Sequence, residues 1–111
     1  MKQYEIWWAV LPSPIGRRPV LLLSRDPACE YLSSVLVVEI ITTIRSIPQE
    51  VALGPREGLP RRCVANFDNL HAIPRAVLKK RIGALRGARI EEARHSLGHA
   101  LGWPELVLAA D

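Results

Sequence analysis

Aromatic side chains are scarce in this chain. They make up 5% of its 111 residues: one phenylalanine, two tyrosines and three tryptophans. So few rings exclude a multi-aromatic stacking sheet of the RNA-recognition-motif kind. Cysteine is nearly absent as well. Cys29 and Cys63 alone cannot make a disulfide framework, and in a reducing compartment they read as small buried apolar residues. Long apolar runs are missing too. The longest, residues 35–41, is interrupted by Glu39 and is far too short to cross a bilayer. The first residues lack the apolar core of a secretory signal, so the chain reads as cytoplasmic with no membrane segment. Charge of one sign is only mildly in excess, at a net +4. Residues 1–60 hold six basic and six acidic side chains, whereas residues 61–111 hold nine and five. That surplus favours an anionic partner, either nucleic acid or an acidic protein.

What the chain has is hydrophobicity cut into short lengths. Apolar residues make up 49%, enough for one globular domain spanning residues 1–111. Residues 4–10 and 19–24 read as strands joined by the turn-rich Leu11-Pro12-Ser13-Pro14-Ile15-Gly16. A long β-branched strand is expected over 35–44, and shorter ones over 50–53, 62–66 and 70–73. Many short strands with close turn signals predict a small barrel or half-barrel. The period then changes. Pro74, Val77, Leu78 and Ile82 suggest a helix, and Ile90, Ala93, Leu97 and Leu101 a second one starting at Ala88. Gly102-Trp103-Pro104 would stop it. Lys79-Lys80-Arg81 reads as a solvated face, as do His95 and His99.

Three stretches have chemical potential. In Gly16-Arg17-Arg18-Pro19-Val20-Leu21-Leu22-Leu23-Ser24, Pro19 biases Arg18 towards an extended backbone just before a buried strand. A guanidinium held there keeps its proton and can grip phosphate with two parallel bonds. In Glu39-Ile40-Ile41-Thr42-Thr43-Ile44-Arg45-Ser46-Ile47-Pro48-Gln49-Glu50-Val51, hydroxyls and an arginine gather where a strand gives way to a turn. Thr42, Thr43 and Arg45 there can cradle a phosphate. In Asn66-Phe67-Asp68-Asn69-Leu70-His71, Asp68 is either a turn residue or a general base, and His71 is the histidine closest to it.

These strings, with Glu5-Ile6-Trp7-Trp8-Ala9-Val10-Leu11-Pro12, Gly58-Leu59-Pro60, Cys63-Val64-Ala65-Asn66 and Ala100-Leu101-Gly102-Trp103, occur in an order that resembles the MazF/PemK (Kid) toxin family over residues 4–103. The resemblance implies a mainly β, SH3-like barrel of the PemK/CcdB type with a C-terminal helix, assembled as a homodimer. It implies a metal-independent endoribonuclease with no cofactor, cutting single-stranded RNA to a 2′,3′-cyclic phosphate and a 5′-hydroxyl. Arg18 maps to the family's essential arginine. Thr42, Thr43 and Asp68 complete the implied catalytic set, with Arg17, Arg45, Asn69 and His71 as RNA contacts. The implied partners are RNA and a cognate antitoxin with an acidic C-terminal tail, the complex alone meeting promoter DNA.

The chain departs from the family pattern in places. Ile41 stands where the first threonine is usual, so either Thr42 supplies the hydroxyl after a one-residue slip or the hydroxyl is missing. Asn66 stands where the Kid branch has an arginine, and Ser46 where glycine is usual. The first inter-strand loop is shorter than the Gly-rich cover of many relatives. Two alternatives therefore stay open: a catalytically degenerate member, and a CcdB-like toxin acting by protein contact. The CcdB class depends on terminal aromatic and small residues, whereas here eight residues follow Trp103.

Overall fold

The computed structural model describes residues 1–108; residues 109–111, part of the tail contrasted with CcdB, lie outside the described residues. Six strands form one antiparallel sheet: β1 (Glu5–Leu11), β2 (Gly16–Leu22), β3 (Ser34–Ile41), β4 (Glu50–Leu53), β5 (Cys63–Pro74) and β6 (Leu78–Ala84). Their order across the sheet is β4-β5-β3-β2-β1-β6. Three helices accompany it: α1 (Asp26–Tyr31), α2 (Ala88–Leu101) and α3 (Pro104–Leu108). The mainly β architecture with a C-terminal helix is the one the sequence predicts.

Side chains alternate across a strand, so one strand feeds two faces. Leu21, Val38, Ile40 and Phe67 gather on one face, with Ala93 of α2 closing over them. Val20, Leu22, Val35 and Val37 gather on the other, with Cys29 of α1 among them. The central strands β2 and β3 are covered on both faces, which is why they read as near-continuous aliphatic runs.

The sheet curls until its two ends meet. The 3-10 turn Pro55–Glu57, which follows β4 at one edge, packs on β6 at the other. Glycine permits this contact. A Cβ on Gly83 would overlap the Glu57 carbonyl oxygen, and one on Gly58 would lie 2.8 Å from the Ile82 carbonyl oxygen. The result is a half-barrel.

Several expectations are corrected. Residues 74–82 form no helix: a 3-10 turn at Arg75–Val77 leads into β6. The spacing of Val77, Leu78 and Ile82 suits either element, but the open edge of β1 needs a partner for its backbone groups, and β6 supplies it. Lys79-Lys80-Arg81 then lies exposed on an edge strand, where lysine also deters unwanted pairing. β3 ends at Ile41 rather than at residue 44, leaving Thr42 and Thr43 in a loop. The two strands expected over 62–66 and 70–73 are one irregular strand, β5. α1, opened by Pro27, and α3, opened by Pro104, escaped the sequence reading. Leu101, expected on the buried stripe of α2, is 41% exposed. Ser46 has φ +56°, the left-handed region that explains why glycine is the family's usual choice there.

Because Gly83 sits against backbone that cannot give way, Gly83→Ala should destabilise the fold by about 1–3 kcal/mol. Gly54→Ala is the control. Its Cβ would meet nothing closer than 3.8 Å, so its denaturant midpoint should stay near wild type. An unchanged midpoint for Gly83→Ala would refute closure by this contact.

Candidate functional site

Glu39 organises the site. It is the one charge inside the β3 aliphatic run, and only 8% of its surface is exposed. A carboxylate buried among valines and isoleucines must be paired. Arg18 of β2 donates from Nη1 to Glu39 Oε1 at 2.6 Å. His71 of β5 brings Nε2 to 2.9 Å from Glu39 Oε2, at ion-pair distance but without an aligned hydrogen bond. Three adjacent strands thus each contribute one member of a row. Strand register sets it up: Val20 pairs with Glu39 and Val37 with His71, so Arg18 and His71 reach Glu39 diagonally.

A bulge lies on the β5 side of Glu39. The ladder passes from Val38↔Leu70 to Ile40↔Ala65, leaving residues 66–69 of β5 against Glu39 alone. Asn66 is buried, and its Oδ1 accepts the Asp68 N–H at 2.9 Å. Phe67 turns into the core and its N–H donates to the Gln49 carbonyl at 2.9 Å. Asp68 and Asn69 are left exposed. Such bulges commonly re-aim side chains beside functional sites.

Beside this row opens a cleft of about 270 Å³. Its apolar wall includes Trp8, Pro19, Leu59 and Pro60, and its cations are Arg17, Arg18 and Arg61. Among the described residues no carboxylate lines it. Arg17 lies over Trp8, its guanidinium carbon 4.5 Å from the ring centroid. Thr42, the first residue beyond β3, lines the cleft, and so does Ile41. β3 shows no slip at this point, since Ile40 and Ile41 continue the ladder with Ala65 and Val64. Extending the register of β2 and β3 by two residues puts Arg18 across from Ile41. The position facing the arginine therefore carries no hydroxyl, and Thr42 is the hydroxyl at the cleft.

Of the residues singled out from sequence, Arg17, Arg18 and Thr42 come together in the cleft. His71 joins them through Glu39. Thr43, Arg45, Asp68 and Asn69 are exposed and do not line it. The Arg45 and Ser46 N–H groups both donate to the Glu50 carboxylate, which shapes the loop after β3. Cys63 lines the cleft, but burial pushes its thiol up from the ordinary range, with the charge of Glu57 adding to the effect. A protonated, buried thiol is no nucleophile, in keeping with its reading as a small apolar residue. Sequence reasoning missed Glu39, Trp8 and Arg61. A lone glutamate in a β-branched run was the available signal for Glu39.

Comparison with known proteins bears on this arrangement. A family model described as PemK-like, MazF-like toxin of type II toxin-antitoxin system matches residues 2–101. The probable endoribonuclease MazF2 of Mycobacterium tuberculosis is 40% identical over 103 residues, covering 92% of this chain and 99% of the relative. Among solved structures, Mycobacterium tuberculosis toxin MazF-mt6 superposes with a TM-score of 0.82 at 32% identity, covering 88% of this chain and 96% of the other. A mycobacterial endoribonuclease in complex with its cognate antitoxin superposes with a TM-score of 0.80 at 26% identity, covering 94% and 97%.

Proposed function

Since the chain belongs to the PemK-like, MazF-like toxin family of type II toxin–antitoxin systems, we propose that it is an endoribonuclease of single-stranded RNA, held in check by a cognate antitoxin. The observation that supports this most is the anchored guanidinium. Arg18 uses Nη1 on Glu39, and among the described residues Nε and Nη2 have no hydrogen-bond partner. Those two N–H groups form the parallel edge that matches a phosphate.

In the proposed reaction the ribose 2′-oxygen bonds to the adjacent phosphorus as the bond to the 5′-oxygen breaks. The 2′-hydroxyl loses its proton and the leaving oxygen gains one, giving a cyclic phosphate and a 5′-hydroxyl. Negative charge builds on the non-bridging oxygens, where Arg18 stabilises it without having to reorganise. Glu39 positions Arg18 by fixing the guanidinium plane. Thr42 orients the phosphate from the loop edge, and Thr43 follows it in the same loop. For the 2′-proton the chain offers Asp68 on the exposed bulge and His71 three residues on. Arg17, Arg45 and Asn69 add contacts to the RNA.

A homodimer, an antitoxin whose acidic tail covers this cationic cleft, promoter binding through that complex alone, and a cytoplasmic setting complete the proposal. The antitoxin is supported by the relative solved with one. The dimer has exposed apolar side chains available, among them Val10 and Leu36 at 47%. Among the described residues no helix is long and apolar enough to cross a membrane. A second reading, RNA binding without cleavage, is favoured by Ile41 facing Arg18.

Arg18→Ala should lower cleavage of a single-stranded RNA by about a hundredfold to a thousandfold. Intact RNA with the wild-type protein, together with undiminished toxicity of Arg18→Ala, would sink the nuclease reading. Thr42→Ala should cost about tenfold or more in kcat if Thr42 supplies the hydroxyl. In the second reading the wild type binds but does not cut, and Ile41→Thr restores cleavage. Glu39→Gln should lower kcat by about tenfold to a hundredfold with KM unchanged or lower, because Arg18 keeps its charge but loses its fixed plane. A rise in KM with kcat intact would refute the positioning role.

A further inference from the structure

We propose that Arg17, held over the Trp8 ring, is a stacking platform for a nucleobase next to the phosphate on Arg18. The inference rests on the RNA-cleaving reading and deepens it by giving one base of the substrate a place. Trp8 is half-buried, fixed in β1 opposite Pro19 of β2 and Lys80 of β6. Its ring is therefore a rigid floor. The Arg17 guanidinium lies over that ring at 4.5 Å. Arg17 is exposed, which leaves its side chain accessible to a ligand from solvent. Among the described residues it has no carboxylate partner to draw it off the ring.

The chemistry of the cleft selects the occupant. Among the described residues Arg17 and Arg61 have no carboxylate partner, and Arg18 bonds Glu39 through Nη1 alone, so the cleft calls for an anion. Pro19, Leu59 and Pro60 add apolar wall, which a bare phosphate does not use. An acidic peptide would take the edges of the guanidinium groups, where their N–H bonds point. A nucleotide uses both features, its base stacking on the guanidinium plane and its phosphate meeting the cations. The volume, about 270 Å³, sits at the small end of ligand pockets and suits one nucleotide. The scarcity of aromatic residues is thus met with a mixed stack, one ring and one guanidinium in place of two rings. Stacking of this kind tolerates any base, so it contributes grip more than sequence choice.

The test is a thermodynamic cycle between protein and RNA. The probe is a short single strand with 2′-methoxy groups, which cannot be cut, together with versions made abasic at one position at a time. Wild type should lose about tenfold in affinity at one abasic position, and Arg17→Lys, which keeps the charge without the plane, should lose about tenfold on the intact strand. On that abasic strand Arg17→Lys should then cost little more, because base and plane are the same contact. Equal losses for Arg17→Lys on intact and abasic strands would overturn the platform and reassign Arg17 to charge alone. Cleavage by the wild-type protein is measured beside it. Cleavage without coupling rejects the platform and leaves the nuclease reading standing, whereas neither binding nor cleavage rejects both.

Discussion

A carboxylate buried in the middle of a β-sheet is the constraint around which this molecule is arranged. Glu39 has almost no access to water, and an unpaired charge at such depth would be severely destabilising. Arg18 and His71 meet it from the strands on either side. The pairing links three strands and fixes which way a guanidinium points. It also limits that guanidinium, since one of its nitrogens is committed and, among the described residues, two remain. A buried pair of this kind does little for net stability. Its value is geometric. A long, flexible side chain becomes a fixed donor at the edge of a cleft.

The rest of the fold serves to keep that row in place. β2 and β3 are covered on both faces, so neither strand can shift register without exposing valines and leucines. The bulge in β5 lets four residues stand against Glu39 and sends Phe67 inward while Asp68 and Asn69 turn out. Curling of the sheet, secured where Gly83 meets the turn after β4, brings Leu59, Pro60 and Arg61 to the cleft beside Arg17 and Trp8. Strands distant in sequence thereby share one small cationic site.

Much of this was legible beforehand. The strands around Pro19 and Val37 announced themselves through β-branched and aliphatic runs, and α2 through its spaced Ile90, Ala93 and Leu97. Arg18 stood out because proline follows it. Other features were not legible for identifiable reasons. Val77, Leu78 and Ile82 fit a helix and a strand equally well, and only the unpaired edge of β1 decided for β6. The bulge in β5 depends on pairing with β3 and leaves no clear local mark. The stack of Arg17 on Trp8 joins residues that local patterning treats as unrelated.

Sequence by itself determined the class of the fold, the family and the arginine that matters most, because these rest on local signals: strand periodicity, turn residues and a proline fixing its neighbour. It also set the substitution at Ile41. Tertiary structure alone decided what that substitution means and what surrounds the arginine. β3 keeps its ladder with β5 to its last residue, Ile41, so extending the β2 register puts Ile41 across from Arg18, and Thr42 reaches the cleft from the loop. Glu39 changed from an interruption in an apolar run to the anchor of the site. The physical reason is that pairing partners are set by register across strands, and register depends on which faces of distant segments become buried together.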